Sequence, residues 1–264
     1  PPEQKAPPHA LNNSGETEVR PDCRKKKRIN ELRPPRSGLV QQSLSATNNQ
    51  DATALSGRQP FGWISETVSM LKNRSLLFTT ISYAAIGYFQ YLFFYWSQFY
   101  FDTILVLGKE KSRTYATILN LSMAVGMLLG GWLADRVQKQ FGKRFGRAFV
   151  PMVGMVVSAL FVLMGILTRD PDSVLLWFSL AMGAAGACEG PFWVTAIDLG
   201  GSKGGTSAAI FNTGGNAGGL LAPVVTPYFS RYYGWQSSIG LAGFFCLAGA
   251  ALWFWIDPAE RCKK

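Results

Sequence analysis

Beyond about residue 60 the chain alternates long apolar runs with short polar breaks, and before that point it has no such run. Six runs, at 76–101, 115–134, 149–168, 174–197, 207–229 and 235–256, are each near the ~20 residues that an α-helix needs to cross a bilayer. The pattern predicts an all-α membrane fold of six transmembrane helices over 74–258. Every run carries Gly, Ser or Thr, residues that weaken helices in water but suit close helix packing in lipid. Gly126/Gly130, Gly214/Gly218 and Gly215/Gly219 are four apart and are read chiefly as packing pairs, with bending as the alternative.

Three segments frame these runs. Over 61–73, Trp63, Ile64, Thr67, Val68 and Leu71 recur at helical spacing, with Ser65, Glu66, Ser69 and Lys72 opposite. That segment is too short to span and predicts an amphipathic helix lying in the membrane interface. Residues 1–60 are rich in Pro, Ser, Asn, Gln and charge. They bury too little apolar surface to offset chain entropy, so a disordered cytoplasmic loop is expected. Residues 259–264 read as a cytoplasmic tail.

Charge changes this picture by orienting it. The 264 residues carry a net charge of +10, yet 48% are hydrophobic and the mean hydropathy is +0.10. That average mixes a polar and an apolar part. The basic excess sits between apolar runs, where it reports topology rather than a nucleic-acid-binding face; no nucleic-acid partner is expected. Residues 1–74 hold twelve Lys/Arg, the break after the second run holds Arg136, Lys139, Lys143, Arg144 and Arg147, and the tail holds Arg261, Lys263 and Lys264. The breaks after runs three and five hold only Arg169 and Arg231. The break after the first run is mixed and that after the fourth is weak. The asymmetry puts both ends in the cytoplasm of a multi-pass protein in the cell (inner, cytoplasmic) membrane. The block Arg24 to Arg28 is read as part of that signal rather than as an anionic-lipid contact.

Cys23, Cys188, Cys246 and Cys262 have no metal or disulfide-ladder spacing, and His9 has no ligand partners nearby; no metal or cofactor is expected. The chain opens on Pro1-Pro2 without an initiator methionine, so it is expected to be part of a longer protein.

The candidate chemistry concentrates in 189–223. Glu189 is the one acidic residue deep in an apolar run, and Lys, Arg and His are missing from all six. A carboxylate in hydrocarbon is costly to keep. Two roles stand about level: a proton-coupling or substrate-coordinating group, or a structural carboxyl bonded to a neighbouring helix. Pro191 removes a backbone donor and is expected to kink the helix near Ala187. Trp193 is read as a cavity wall. Asn212 and Asn216, four apart, share a helical face. With glycines around them and Pro223 and Pro227 beyond, they predict a bent or discontinuous helix lining water; inter-helix hydrogen bonding is the alternative. Asn120 is a weaker candidate of the same kind. In the first run Tyr83, Gln90 and Tyr91 are candidates to meet a hydroxylated ligand, while Tyr95 to Tyr100 read as an interfacial aromatic belt. Gly200 to Gly205 lacks phosphate-loop spacing and reads as a turn. The absence of a nucleotide loop, metal cluster or nucleophile–base set argues against an enzyme and against primary active transport.

Two sets of residues resemble a known family. Gly131-Trp-Leu-Ala-Asp135-Arg136 followed by Gly142-Lys143-Arg144 resembles the loop signature of the major facilitator superfamily, with extra residues between Arg136 and Gly142. The resemblance implies a cytoplasmic latch in which Gly131, Asp135, Arg136, Lys143 and Arg144 take part, Asp135 facing a helix N-terminus of the other half. Gly190-Pro191-Phe192-Trp193, the run Asn212-Thr-Gly-Gly-Asn216-Ala-Gly-Gly, Gly234-Trp235 and Trp255-Ile256-Asp257-Pro258 resemble the second half of the anion:cation symporter family, which includes hexuronate, galactonate and glucarate transporters. Pro2-Glu3-Gln4, His9, Leu11-Asn12 and Glu16 resemble its central loop.

The resemblance implies the C-terminal half of a twelve-helix fold, built as three-plus-three inverted repeats. The implied activity is proton-coupled uptake of an organic anion such as a hexuronate or other sugar acid, by alternating access. It places Trp193 and Asn212 or Asn216 in the substrate cavity. The family's principal proton-binding acid and anion-binding arginine belong to the N-terminal six-helix half, which this chain lacks. Carriers of other anions (dicarboxylate, aromatic or inorganic) and a non-transporting membrane scaffold or sensor stay open. The implied partners are the anion, the lipid bilayer and that missing half.

Overall fold

The computed structural model describes residues 62–257; the expectations for 1–60 and 259–264 lie outside the described residues. Among the described residues all regular structure is helical. In chain order come α1 (Gly62–Leu71), α2 (Arg74–Phe99), a π-helical turn (Tyr100–Ile104), α3 (Lys109–Phe141), α4 (Lys143–Leu167), α5 (Pro171–Gly200), a 3-10 turn (Gly201–Lys203) and α6 (Gly204–Leu252).

Local chemistry sets the boundaries. The Asn73 side chain accepts from the Leu76 amide at 2.9 Å and starts α2. Asp170 does the same for α5, accepting from the Ser173 amide at 2.9 Å, with Pro171 at the first helical position. Such caps satisfy amides that a helix start leaves unpaired. The hydrogen bonds from Ser173 hold the exposed Asp170 carboxyl below its ordinary range. Gly142, at φ 85°, is the single residue between α3 and α4.

Four helical stretches among the described residues are long and apolar enough to cross a membrane, and the last runs 82 residues, from Pro171 to Leu252. It is not one rod. The Ser207 hydroxyl donates to the Ala196 carbonyl at 2.6 Å, eleven residues back, a separation of ~16 Å on a straight helix. The Ser238 hydroxyl donates to the Thr226 carbonyl at 3.2 Å, twelve residues back, where a straight helix would put ~18 Å. The chain therefore doubles back twice, at Gly201 (φ 55°) and Gly234 (φ 80°). Positive φ is open to glycine at little cost. α6 is thus a hairpin with a first arm before Gly234 and a second arm after it.

Several expectations change here. α3 extends beyond the apolar run at both ends, so Asp135 and Arg136 lie on a helix rather than in a loop. Nothing before Gly142 requires the chain to leave helical geometry. α5, where a kink is expected at Pro191, stays helical through that residue. The first arm of α6 passes Pro223 and Pro227 with helical backbone, and Gly234 alone departs from it. The discontinuity expected near the two asparagines therefore lies eighteen residues beyond Asn216. In the aromatic belt, Tyr95 and Phe99 are exposed, but Tyr100 is buried with its ring 5.9 Å from Phe178.

Small residues bring two helix pairs into backbone contact. A side chain at Gly126 would strike the Gly183 carbonyl on α5, and one at Gly130 would strike Ala187. On the other side, a side chain at Gly214 would strike Thr80 on α2, and one at Gly218 would strike Ala84. Both pairs advance four residues on each helix in the same direction, so α3 runs parallel to α5, and the first arm of α6 runs parallel to α2. This is the small-residue packing that membrane helices use where lipid offers no hydrophobic drive for association.

Large apolar side chains also face outward, including Leu121, Leu128 and Trp132 on α3 and Leu220 and Val224 on α6. Apolar patches of this extent suit hydrocarbon rather than water. Polar closures sit at the helix ends. Arg147 at the start of α4 pairs with Asp198 in the last turn of α5, and Arg144 lies 3.4 Å from Asp257. At the far end Tyr115 bonds Asp172, with Lys111 3.5 Å from the same carboxylate.

Candidate functional site

α2 supplies three polar side chains to the middle of the bundle. Tyr83 and Gln90 are seven residues apart, two helical turns, and so share a face. Gly87 lies between them on that face, where an added Cβ would sit 2.5 Å from the Gly215 carbonyl oxygen. The first arm of α6 therefore fits into the gap between Tyr83 and Gln90, and α5 closes the third side.

Glu189 occupies the centre. The Tyr83 hydroxyl donates to its Oε2 at 2.9 Å, and Gln90 Nε2 donates to its Oε1 at 2.7 Å. The three residues are 9%, 9% and 5% exposed for Glu189, Tyr83 and Gln90. Among the described residues no salt bridge reaches Glu189. Each carboxylate oxygen is thus answered by a neutral donor. Hydrogen bonds of that kind are strong where the surroundings screen little.

An aromatic set holds Tyr83 in place. Its ring stacks on Phe211 with centroids 3.9 Å apart and lies 5.3 Å from Phe192. Trp193, half-buried, stands edge-on to Tyr83 at 6.5 Å and to Phe211 at 5.5 Å. Gly215 and Gly219 leave the room these rings need. A Cβ at Gly215 would overlap the Tyr83 ring, and one at Gly219 would lie 2.7 Å from the Tyr91 ring.

A second polar group lies further out on the same arm. The Tyr91 hydroxyl donates to Asn216 Oδ1 at 3.1 Å, and Asn216 Nδ2 donates to the Asn212 carbonyl at 2.9 Å. Asn212 and Asn216 are both exposed. The Asn212 side chain has no hydrogen-bond partner among the described residues. Tyr83, Gln90 and Glu189 thus form one group, and Tyr91, Asn216 and Asn212 a second. Trp193 stands against Phe211, the residue beside Asn212. Asn120, exposed on α3, joins neither group through a hydrogen bond.

The latch residues sit apart from this cluster. The Arg136 guanidinium lies 4.3 Å over the Trp132 ring, and Arg144 faces Asp257. Asp135 is exposed and unbonded among the described residues, Lys143 is the first residue of α4, and the space beside Gly131 is open.

Reading the sequence did not single out Phe192 and Phe211, which frame Tyr83, or the Arg147–Asp198 pair. Phe192 and Phe211 adjoin Trp193 and Asn212, so proximity along the chain pointed near them, but only packing tells which ring turns inward. Arg147 and Asp198 counted as charges between runs because nothing in their spacing pairs them.

Known proteins place this geometry. The family model of the Major Facilitator Superfamily matches residues 140–263. A probable sulfoacetate transporter of Cupriavidus necator is 25% identical over 174 residues, covering 65% of this chain and 40% of that protein. A D-galactonate transporter of Escherichia coli is 26% identical over 181 residues, covering 67% and 41%. A probable chloroplastic anion transporter of Oryza sativa subsp. japonica is 22% identical over 167 residues, covering 63% and 28%. The chain thus spans about two fifths or less of the length of these relatives. Among solved structures, a peptide transporter superposes with a TM-score of 0.56 at 18% identity, covering 69% of this chain and 38% of that one, a likeness of fold. Over residues 140–263 the chain thus resembles the Major Facilitator Superfamily, and its relatives and its fold likeness are those of membrane transporters rather than enzymes.

Proposed function

We propose that this chain is the C-terminal six-helix half of a secondary carrier for an organic anion, working by alternating access in the cytoplasmic membrane. The observation that carries the reading is the buried Glu189, held by neutral donors from α2, with exposed amides at Asn212 and Asn216 on the first arm of α6. A carboxylate kept inside membrane helices is a functional group by default. Trp193, Tyr83, Tyr91, Gln90, Asn212 and Asn216 would present ring faces and neutral hydrogen bonds to a hydroxylated anion such as a hexuronate or other sugar acid. The cation expected for an anionic substrate would come from the N-terminal half, and a proton would drive uptake, with Glu189 the candidate coupling group in this half.

The two doublings-back at Gly201 and Gly234 favour six crossings arranged as two triplets: α2, α3 and α4, then α5 and the two arms of α6. The paired small-residue contacts support the repeat. The second helix of each triplet packs in parallel on the first helix of the other, as inverted repeats would place them. In this arrangement α1 lies in the interface, both ends of the chain are cytoplasmic, and Gly131, Asp135, Arg136, Lys143 and Arg144 face the other half as a latch. The open space beside Gly131 and the unbonded Asp135 leave room for that contact.

The names of the relatives keep a second substrate reading alive, since they include a sulfoacetate transporter and a sodium-dependent phosphate transport protein as well as a galactonate transporter. The test is uptake into proteoliposomes bearing the full-length protein. Labelled D-glucuronate, D-galactonate, sulfoacetate and phosphate are offered with and without an inward proton gradient. Accumulation of a sugar acid under the gradient is the expected result. Uptake of sulfoacetate or phosphate alone moves the substrate class. No uptake of any of the four defeats the carrier reading in favour of a scaffold or sensor.

A further inference from the structure

The geometry around Glu189 points to a specific role for Tyr83: we infer that it converts a proton on Glu189 into a hydrogen-bond donor for the anion. The inference rests on the carrier reading above and deepens it.

Glu189 accepts one hydrogen bond at each oxygen, from Gln90 Nε2 at 2.7 Å and from the Tyr83 hydroxyl at 2.9 Å. An ionised carboxylate only accepts, while a protonated one carries a single O–H that must donate. The two partners differ in what they can do next. Gln90 presents its NH2 to Oε1, so a proton there would set hydrogen against hydrogen unless the whole amide turned over to present its carbonyl. A phenolic hydroxyl donates or accepts by rotating its hydrogen. The arriving proton therefore settles on Oε2, and Tyr83 turns from donor to acceptor. No heavy-atom bond forms or breaks, Tyr83 keeps its own proton, and Gln90 continues to donate to Oε1.

The surroundings decide where the released Tyr83 hydrogen goes. The ring is fixed against Phe211 and Phe192, so only the hydroxyl hydrogen is free to swing. Half-buried Trp193 stands edge-on to the Tyr83 ring, against Phe211 and next to the exposed Asn212. An anion seated against Trp193 and Asn212 gains a donor that Glu189 held before protonation. Binding of the proton and binding of the anion then favour each other, and by linkage each strengthens the other equally.

The other charged and titratable groups do not supply this effect. From α2, Tyr91 is engaged with Asn216. Cys188 adjoins Glu189 on α5 and lies near Cys246 of the second arm of α6, both buried. α4 brings Arg147, already paired with Asp198. On α3, Asp135 and Arg136 are exposed beyond Gly131, with Arg136 on Trp132.

The test uses the full-length protein in proteoliposomes, with labelled D-glucuronate, D-galactonate and sulfoacetate, and follows KM against pH. In the wild type KM for the transported anion rises with pH, by up to about tenfold per pH unit for one linked proton. Tyr83→Phe keeps the ring but has no hydrogen to reverse. Its KM is expected to lose most of that dependence, changing by less than about twofold per pH unit where the wild type changes by up to about tenfold. Glu189→Gln, an uncharged stand-in whose amide can donate to Tyr83, is expected to be equally flat. Infrared pH-difference spectra without anion supply the second readout. A carboxylic-acid C=O band and a shift of a tyrosine C–O band should rise together in the wild type; both should vanish in Glu189→Gln, while Tyr83→Phe should lose the tyrosine shift and keep a carboxyl band. A Tyr83→Phe carrier with the wild-type pH slope, or a wild-type carboxyl band that rises with no tyrosine shift, overturns the inference while transport stands. Coupled bands with no uptake of any anion defeat the carrier reading and leave the Glu189–Tyr83 reversal intact.

Discussion

The Tyr91 hydroxyl donates to Asn216 Oδ1 across 3.1 Å, and this bond separates the roles of two asparagines that the sequence presents as equals. Asn216 spends its oxygen on Tyr91 and one amide hydrogen on its own helix. Asn212, one turn earlier, keeps its whole amide free of partners among the described residues.

Asn212 is therefore the residue expected to touch substrate, with Asn216 positioning Tyr91. Asn212→Ala should raise KM about two- to tenfold, the worth of one lost hydrogen bond, with kcat nearly unchanged. Tyr91→Phe and Asn216→Ala should each give a smaller effect, and the double variant should be no worse than either single one, because both remove the same bond. Uptake kinetics of the full-length carrier read all four. Additive losses at Tyr91 and Asn216 would show that the two act separately.

Gly215 is fixed by the Tyr83 ring rather than by its own backbone. A methyl group there would overlap that ring, and the ring is wedged against Phe211. Gly215→Ala should cost about 1–3 kcal/mol, as overpacking does, and should weaken the bond from Tyr83 to Glu189. Thermal unfolding in detergent gives the first effect and the tyrosine C–O infrared band the second. Gly205→Ala makes the control, since nothing lies near the Cβ position there.

The Arg147–Asp198 pair ties the start of α4 to the end of α5. The Arg147 side chain is 15% exposed and Asp198 41%, so water screens the pair from one side and its worth stays near that of a surface bridge, about 1 kcal/mol or less. Arg147→Ala should lower the unfolding temperature slightly. Adding Asp198→Ala to it should restore part of the loss by removing the unpaired partner. A double variant less stable than either single one would count against the pairing.

Asp170 gives the fold a weak acid dependence with a defined sign. Its carboxyl is held below the ordinary carboxylate range by Ser173. A group depressed on folding contributes above its unfolded value and loses that contribution as pH falls through its folded value. Stability from this cap is thus fully present at neutral pH and fades only below the ordinary carboxylate range. Asp170→Asn, which can still cap, should keep the neutral-pH stability and flatten the acid limb. Unfolding temperatures at a series of acid pH values compare the two.

Much of the architecture follows from the sequence alone, for a physical reason. Crossing a bilayer needs long apolar helices, because hydrocarbon offers backbone groups no partner. The runs at 76–101 and 115–134 are therefore legible as α2 and the middle of α3, and the glycine pairs at 126/130 and 214/218 are legible as contacts. The same constraint makes Glu189, Asn212 and Asn216 stand out, since polar groups are costly there. What the sequence does not carry is direction and partnership. Which of Tyr83, Gln90 and Tyr91 reaches Glu189 depends on the parallel register of α2 against the first arm of α6. That register is set by Gly87 meeting Gly215, 128 residues away in the chain. Proline pointed to a kink at 191 and to a bent or discontinuous helix before 223 and 227, yet the chain doubles back at Gly201 and Gly234, because glycine takes positive φ at little cost. Apolar run lengths are enough to read a membrane chain with a few costly polar groups. That one carboxylate is shared between a tyrosine and a glutamine emerges from the packed helices, because hydrogen bonds are settled by distances between helices and no periodicity records those.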